Sequence, residues 1–383
     1  MHMTKTKQLI LVFSVMLLAI VALVLLWVTT ENEPVNETVT PAEAEGKKVV
    51  LNIKAVGDNL IHSPIFNACK TEDGYNFDGL YVNIAPHIKD ADIAAINQET
   101  IFVDENSSYS GYPTFGSPHQ VGESVYKAGF NTITHATNHT YDRRADAILY
   151  SMDFWDKYDD VTVLGINRSV EEQNNVEVFE KDGLSVAMLN FTYGLNGFSL
   201  PDDMPYLVNL LSDEDLGKNL LIQAENKADI TVVFVHFGTE YVHAPTSEQI
   251  ETVEFLCSNG ADVIIGTHPH VVQPMTKHTA KNGNEAVVYY SLGNFVSNQS
   301  GASKILGAMA DVTIVKEDGV TRVESYEMHP TVTHCSGGIY TVYMLDEYSD
   351  DLAAVHKRAP GLTVEKLQTL YDKIINIEVK EAA

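Results

Sequence analysis

Short runs rich in β-branched and other apolar residues alternate along the chain with longer helix-like stretches. The short runs, Val49 to Val56, Asp92 to Ile96, Asn131 to Thr134, Thr162 to Leu164, Val176 to Glu180, Ser185 to Asn190, Asp229 to Val235, Ala261 to Ile265 and Val287 to Ser291, read as strands. Helices are predicted over Ser117 to Ala128, Ala145 to Tyr158, Asp213 to Lys227 and Thr246 to Ser258. Such alternation is the pattern of an α/β architecture. Late in the chain, Gly307 to Lys316 and Val320 to His329 flank Glu317-Asp318-Gly319, and the Asp-Gly pair predicts a hairpin, hence an antiparallel edge or a second sheet. A last helix is predicted around Val364 to Ile375, in a stretch with no chemical motif.

Before the first strand the pattern is different. Leu9 to Val28 is an unbroken apolar or small run without charge, preceded by Lys5 and Lys7. It is long enough to cross a hydrocarbon core of about 30 Å as a helix. The lysines place residues 1–8 in the cytoplasm and everything after Val28 outside, with Trp27 at the outer interface. A cleaved signal peptide would have a shorter apolar region and a small-x-small site at once after it, whereas Thr29, Thr30 and Glu31 follow here. The expectation is a single-pass cell-membrane protein with an extracellular C-terminal domain. Residues 29–47, rich in Glu, Thr, Pro, Asn and Ala, read as a flexible tether. Residues 48–335 are expected to form the globular domain and 336–383 a C-terminal extension carrying the last helix.

Composition narrows the class. The chain has 383 residues, 45% of them hydrophobic, which supports a substantial core. A formal net charge of −27 argues against a nucleic-acid partner, since binding a phosphate backbone needs clustered Lys and Arg. Cys69, Cys257 and Cys335 are widely spaced and odd in number, so no disulfide framework is indicated, although one pair is open to forming outside the cell.

The chemistry lies at the ends of the apolar runs. Gly57-Asp58 ends the first strand and His62 follows; Asn97-Gln98-Glu99 ends the second; Asn138-His139 follows the third; His236 ends a later one and His268-Pro269-His270 another. In an open α/β sheet the carboxyl ends of strands are where ligands bind. Carboxylates and imidazoles together suit a divalent transition metal. Singly these signals are weak: Asp58 with His62 has the pattern of a helix cap or surface pair, and His236 alone reads as a satisfied core histidine. Two features sharpen the set. His268 and His270, alternate residues on an extended segment, leave the chain in one direction. Asp142, three residues after His139, is placed to fix that imidazole's tautomer.

The ordered series Asp…His, acid, Asn-His, His, His-x-His resembles the calcineurin-like metallophosphoesterases and, more closely, the poly-γ-glutamate capsule synthesis family CapA. The segments that carry the likeness are Ala55-Val56-Gly57-Asp58, Asn97-Gln98-Glu99, Ala136 to Asp142, His236 to Tyr241, Gly266 to Pro274 and Tyr290 to Phe295, spanning about residues 50 to 300. The resemblance implies a four-layer α-β-β-α sandwich, two central sheets flanked by helices, with a centre for one or two divalent ions (Mn, Fe or Zn) at the strand ends. It implies Asp58, His62, Glu99, Asn138, His236, His268 and His270 as ligands, His139 and Asp142 as the catalytic pair, and Arg143, Arg144 and Asn294 toward an anionic substrate. Three positions depart from the family pattern: His62 lies four residues after Asp58 where the phosphoesterases have Asp-x-His, Glu99 replaces a bridging Asp, and Arg143-Arg144 stand where relatives tend to have Gly.

The implied chemistry is in-line hydrolysis assisted by two cations about 3.5–4 Å apart, or Lewis-acid hydrolysis with one. The expected partner is an anionic polymer such as poly-γ-glutamate, or a phosphoester, within a membrane complex of capsule synthesis proteins. The alternative is a non-catalytic polymer-binding assembly or export factor that uses the same pocket. A third reading is an amide-bond ligase partner acting only inside a membrane complex; no Gly-x-x-x-x-Gly-Lys-[Ser/Thr] loop is present, which argues against ATP use by this chain.

Overall fold

The computed structural model describes residues 48–379. The run 9–28 expected to span a membrane and the tether 29–47 lie outside the described residues. Among the described residues, no helix is long and apolar enough to cross a membrane.

Two sheets organise the fold. In spatial order the first runs Ile339–Met344, Val320–Ser336, Leu306–Glu317, Val49–Asn59, Ile93–Asn97, Thr132–Thr134, Thr162–Leu164, with Asn294–Val296 also paired to the end of Val49–Asn59. From Val49–Asn59 through Thr162–Leu164 the pairing is parallel, while the three strands on the other side are antiparallel. The second sheet runs Met275–Thr279, Glu285–Tyr289, Val263–Thr267, Ile230–His236, Leu184–Thr192, Glu177–Lys181, parallel in its middle and antiparallel at both edges.

Strand periodicity decides the layering. Leu51, Ile53 and Ala55 point from the first sheet into a core shared with Val186, Met188, Val232, Phe234, Val263 and Ile265 of the second. The intervening faces turn outward: Val56, Ala94, Ile96 and Ile133 pack with Val121, Val125, Phe154 and Trp155 of the helices Gln120–Ala128 and Arg144–Trp155. On the far side, Ala187, Leu189, Val233, Val235 and Ile264 pack with Leu216, Leu220, Leu221, Val253 and Leu256 of the helices Glu214–Lys227 and Ser247–Ser258. The layers are thus helix, sheet, sheet, helix. Central strands are apolar on both faces, which is why they read as continuous runs in the sequence.

Local chemistry sets several boundaries. The last of these helices starts after a capping box, with Thr246 accepting from the Gln249 backbone and the Gln249 side chain accepting in return from Thr246 N–H. The hairpin turn has Asp318 at φ 53° and Gly319 at φ 78°, as a two-residue turn with positive φ at both positions requires. The helix expected from Ser117 begins at Gln120 instead, because Ser117 is bridged to Phe102 and its N–H is spent on Ile101. Cys69, Cys257 and Cys335 are free thiols.

The expected boundary after residue 335 falls inside the strand Val320–Ser336, whose partner Ile339–Met344 completes the sheet edge. Beyond it, the helix Val364–Ile375 puts Leu367, Tyr371 and Ile374 into the core between the sheets. Residues 336–379 therefore belong to the fold and are not an extension to it, a correction to the sequence reading.

At the carboxyl end of the first strand a second segment passes very close. Asp58 N–H donates to Gly293 O at 2.9 Å, and a Cβ on Gly57 would lie 1.9 Å from that same carbonyl. Only glycine leaves room for this approach. Gly57→Ala is expected to destabilise the protein by about 3 kcal/mol, because both clashing groups are backbone and neither swings aside. Denaturant unfolding checks it; an unchanged midpoint would contradict the packing described.

Candidate metal centre

The parallel strands end together, and that is what assembles the site. In the first sheet Asp58 pairs in register with Asn97, and Asn97 with Thr134; in the second His236 pairs with Thr267. The segments leaving these positions carry Glu99, Asn138-His139 and His268-Pro269-His270. Both sheets contribute, so the site straddles the seam of the sandwich.

Its centre is a buried trio. Ligand atoms of Asp58, Glu99 and His270 lie within 4.8 Å of one another. His270 Nδ1 donates to Asp58 Oδ2 at 2.9 Å, while Asp58 Oδ1 accepts from Asn97 Nδ2 at 2.8 Å and from the His268 backbone N–H at 3.3 Å. Glu99 is different. It is 1% exposed, and neither carboxylate oxygen has a hydrogen-bond partner. Its Oε1 stands 3.8 Å from both His270 Nε2 and His236 Nε2, between the trio and a second group. In that group His236 Nε2 lies 3.0 Å from Asn138 Oδ1 and 3.2 Å from His268 Nδ1. Thr267 Oγ1, 3.0 Å away, engages the other nitrogen, Nδ1, of His236.

The electrostatics reflect this crowding. Burial, then the charge of Asp58, raises the Glu99 carboxyl well above the ordinary carboxylate range. For His270 burial works against the proton, but Glu99 and Asp58 outweigh it and raise the imidazole to about 9. Burial and neighbouring imidazoles push His268 down to about 3 and His236 well below its ordinary value. Without a cation the buried acids hold protons, Glu99 favouring its neutral form and His270 its charged form beside Asp58, while His236 and His268 are held neutral, the form in which imidazoles ligate metals.

His139 stands beside this centre. Its Nδ1 is 2.7 Å from Asp142 Oδ2, which also accepts from Phe115 N–H at 2.6 Å. The carboxylate therefore holds the ring by Nδ1 and leaves Nε2 for other work. Asn196 Nδ2 approaches Nδ1 at 3.2 Å, and the Phe115 ring packs edge-on at 4.7 Å.

Of the twelve residues named from sequence, the structure gathers Asp58, Glu99, Asn138, His236, His268 and His270, with His139 and Asp142 alongside. His268 and His270 arrive by a different route from the one expected. The segment is not extended: their φ angles are 99° and 57°, and their rings sit 5.9 Å apart, one toward His236 and one toward Asp58. Positive φ at two non-glycine residues is backbone strain held by the surrounding loop. His62 does not join the trio. Its Nδ1 is engaged by Leu60 O at 3.0 Å and Asn298 N–H at 3.3 Å, and its ring packs on Phe115. Arg143 is tied to Ser108 O and Ser110 Oγ, both at 2.9 Å, and the Arg144 guanidinium lies 3.9 Å over the Phe198 ring. Asn294 donates to the backbone carbonyls of His270 and Lys304, so it fixes the ligand loop from behind.

Sequence reasoning passed over Asn97 as a site residue, together with Tyr193, whose ring lies 4.6 Å from His268, and Asn196. Asn97 and Tyr193 end or follow parallel strands, the same positional signal that pointed to His236. A separate cavity of about 780 Å³, lined in part by Asn167, Arg168, Asn190 and Asn209, contains none of these ligands.

The model for Bacterial capsule synthesis protein PGA_cap matches residues 52–299, a span that includes every residue of the buried centre. The chain is 25% identical over 291 residues to the Capsule biosynthesis protein CapA of Bacillus anthracis, covering 74% of this chain and 67% of that protein. It is 25% identical over 279 residues to the PGA biosynthesis protein CapA of Bacillus subtilis (strain 168), covering 72% and 70%. Among solved structures, the calcineurin-like phosphoesterase YfkN of Bacillus subtilis covers 86% of this chain and 98% of its own at 14% identity, with a TM-score of 0.44.

Proposed function

Because the chain belongs to the bacterial capsule synthesis protein family, we propose that it serves capsule biosynthesis as a divalent-metal-dependent hydrolase acting on an anionic surface polymer, of the poly-γ-glutamate kind, or on a phosphoester. The observation that carries this reading is Glu99. A fully buried carboxylate with neither oxygen hydrogen-bonded, beside a second buried carboxylate, is costly unless a cation compensates both. The donor set of carboxylate and amide oxygens with neutral imidazoles suits Mn, Fe or Zn. Asp58, Glu99 and His270 would hold one ion; Asn138, His236 and His268, with Glu99 shared, would hold a second.

When bound, the metal polarises a phosphoryl or carbonyl oxygen and neutralises charge that develops there. The protein's own groups do the rest. Asn97 and the His268 N–H hold Asp58 in place, and Asn294 holds the ligand loop. Asp142 fixes His139 by Nδ1, so Nε2 is the atom from which a proton passes to a leaving group. The apolar run 9–28 supports a single anchor that displays this domain outside the cell membrane, within reach of polymer and of other capsule synthesis proteins.

The test is a substrate screen on the purified full chain after loading with Mn, Fe or Zn, using a phosphomonoester, a phosphodiester and poly-γ-glutamate. Turnover of at least one, abolished by a chelator and restored by metal, is the expected result. A metal-loaded chain inert on all three would reject the hydrolase reading.

A further inference from the structure

Two cations frame one loop at the edge of the centre, and neither is in an ion pair among the described residues. Lys304 Nζ lies 4.3 Å over the ring of Tyr241, which in turn sits 6.0 Å from His270. Tyr241 is anchored there: its N–H donates to Pro269 O at 2.7 Å and its hydroxyl accepts from Gln299 at 3.3 Å. Gln299 accepts in turn from Asn294, which reaches the His270 backbone. On the other side, Arg358 donates to the Tyr340 hydroxyl at 3.3 Å, Tyr340 donates to Asn298 at 2.5 Å, and Asn298 N–H reaches His62. Gly301 N–H closes the frame on Arg358 O at 2.8 Å, and the buried Arg358 Nε has no partner. Both cations lie beyond residue 299, where the family model's match ends.

In a chain of net charge −27, two cations held by aromatic and hydroxyl groups instead of carboxylates are placed for a ligand. An ammonium over a tyrosine face is not neutralised by its neighbour and attracts an incoming anion, and the half-buried Arg358 guanidinium is likewise spent on no carboxylate. We infer that Lys304 and Arg358 form an anion-recognition rim around the 297–304 loop, binding negatively charged oxygen groups next to the one seated at the centre. This rests on the metal-centre reading for what occupies the middle. Two flanking cations favour a ligand with more than one anionic group, either the side-chain carboxylates of successive γ-linked glutamates or the oxygens of a phosphodiester.

The experiment measures binding of a fluorescently labelled γ-linked glutamate oligomer, and separately of a phosphodiester probe, to the metal-loaded full chain and to its K304Q, K304R and R358Q variants. Expected is a loss of about tenfold in affinity for each Gln variant, with a shallower salt dependence, the metal content unchanged, and K304R close to wild type. The probe that suffers the loss identifies the source of the anion. Unchanged binding of both probes in K304Q and R358Q overturns the rim, as does loss of metal together with binding, which would mark a structural role. Should the wild-type chain load no metal yet bind the oligomer in a Lys304-dependent way, the rim stands and the metal reading falls.

Discussion

Replacing both His268 and His270 with Ala is expected to remove essentially all bound transition metal from the purified full chain while leaving its secondary structure intact. The two rings belong to the two halves of the centre, one beside Asp58 and one beside His236, and Glu99 alone cannot bridge them. Controls are at hand in His278, paired with Glu254 at 3.0 Å, and His329, near Glu327, both remote from the centre. Their Ala variants should keep wild-type metal. Metal should also raise the melting temperature of the wild type, by an amount equivalent to about 2.7 kcal/mol at a hundredfold excess over its Kd, and have no such effect on the double variant. Equal metal content in all of these proteins, measured by elemental analysis, would show the ligand assignment to be wrong.

His139→Ala should separate catalyst from binder. The ring is held by Asp142 and lies outside the buried trio, so most of the metal should remain. If the chain turns over a substrate, the rate should fall by about 10²–10⁴-fold, the usual cost of losing a general acid or base. Asp142→Asn should act in the same direction, by releasing the ring's orientation and tautomer. In an assembly factor the outcome differs: polymer production in cells would survive His139→Ala and fail with Asp58→Ala. Full complementation of a deletion strain by both variants would reject any role for the site.

Strands buried on both faces were legible because they are almost wholly apolar until the last residue, where the chemistry starts; in Ile230–His236 only Thr231 is polar before His236. The Asp-Gly turn was legible because its backbone conformation demands those residues. The sheet edge was not. Val320–Ser336 runs on through His329 and Pro330, and Ile339–Met344 begins on an exposed isoleucine after Gly337-Gly338, so the apolar pattern fades although the pairing persists. At the site, residue type and strand position pointed to residues that the fold brings together. Side-chain direction was hidden: nothing in Arg143-Arg144 announces that one arginine is spent on a neighbouring loop and the other on an aromatic face, and nothing in the spacing of His62 shows its nitrogen turned to backbone.

Asp58 and His270, which share a hydrogen bond, are 212 positions apart, and the strand that presents Asp58 waits for an antiparallel neighbour that begins only at Leu306. Contacts of such separation form late, because long loops must close before they reward the chain. During synthesis Asp58 emerges 212 residues before the His270 that pairs with it, so that contact waits for the later chain. The buried centre is therefore completed only with the finished fold, and a product cut short before its final strands would carry every residue proposed to hold metal but lack the strand that braces Asp58.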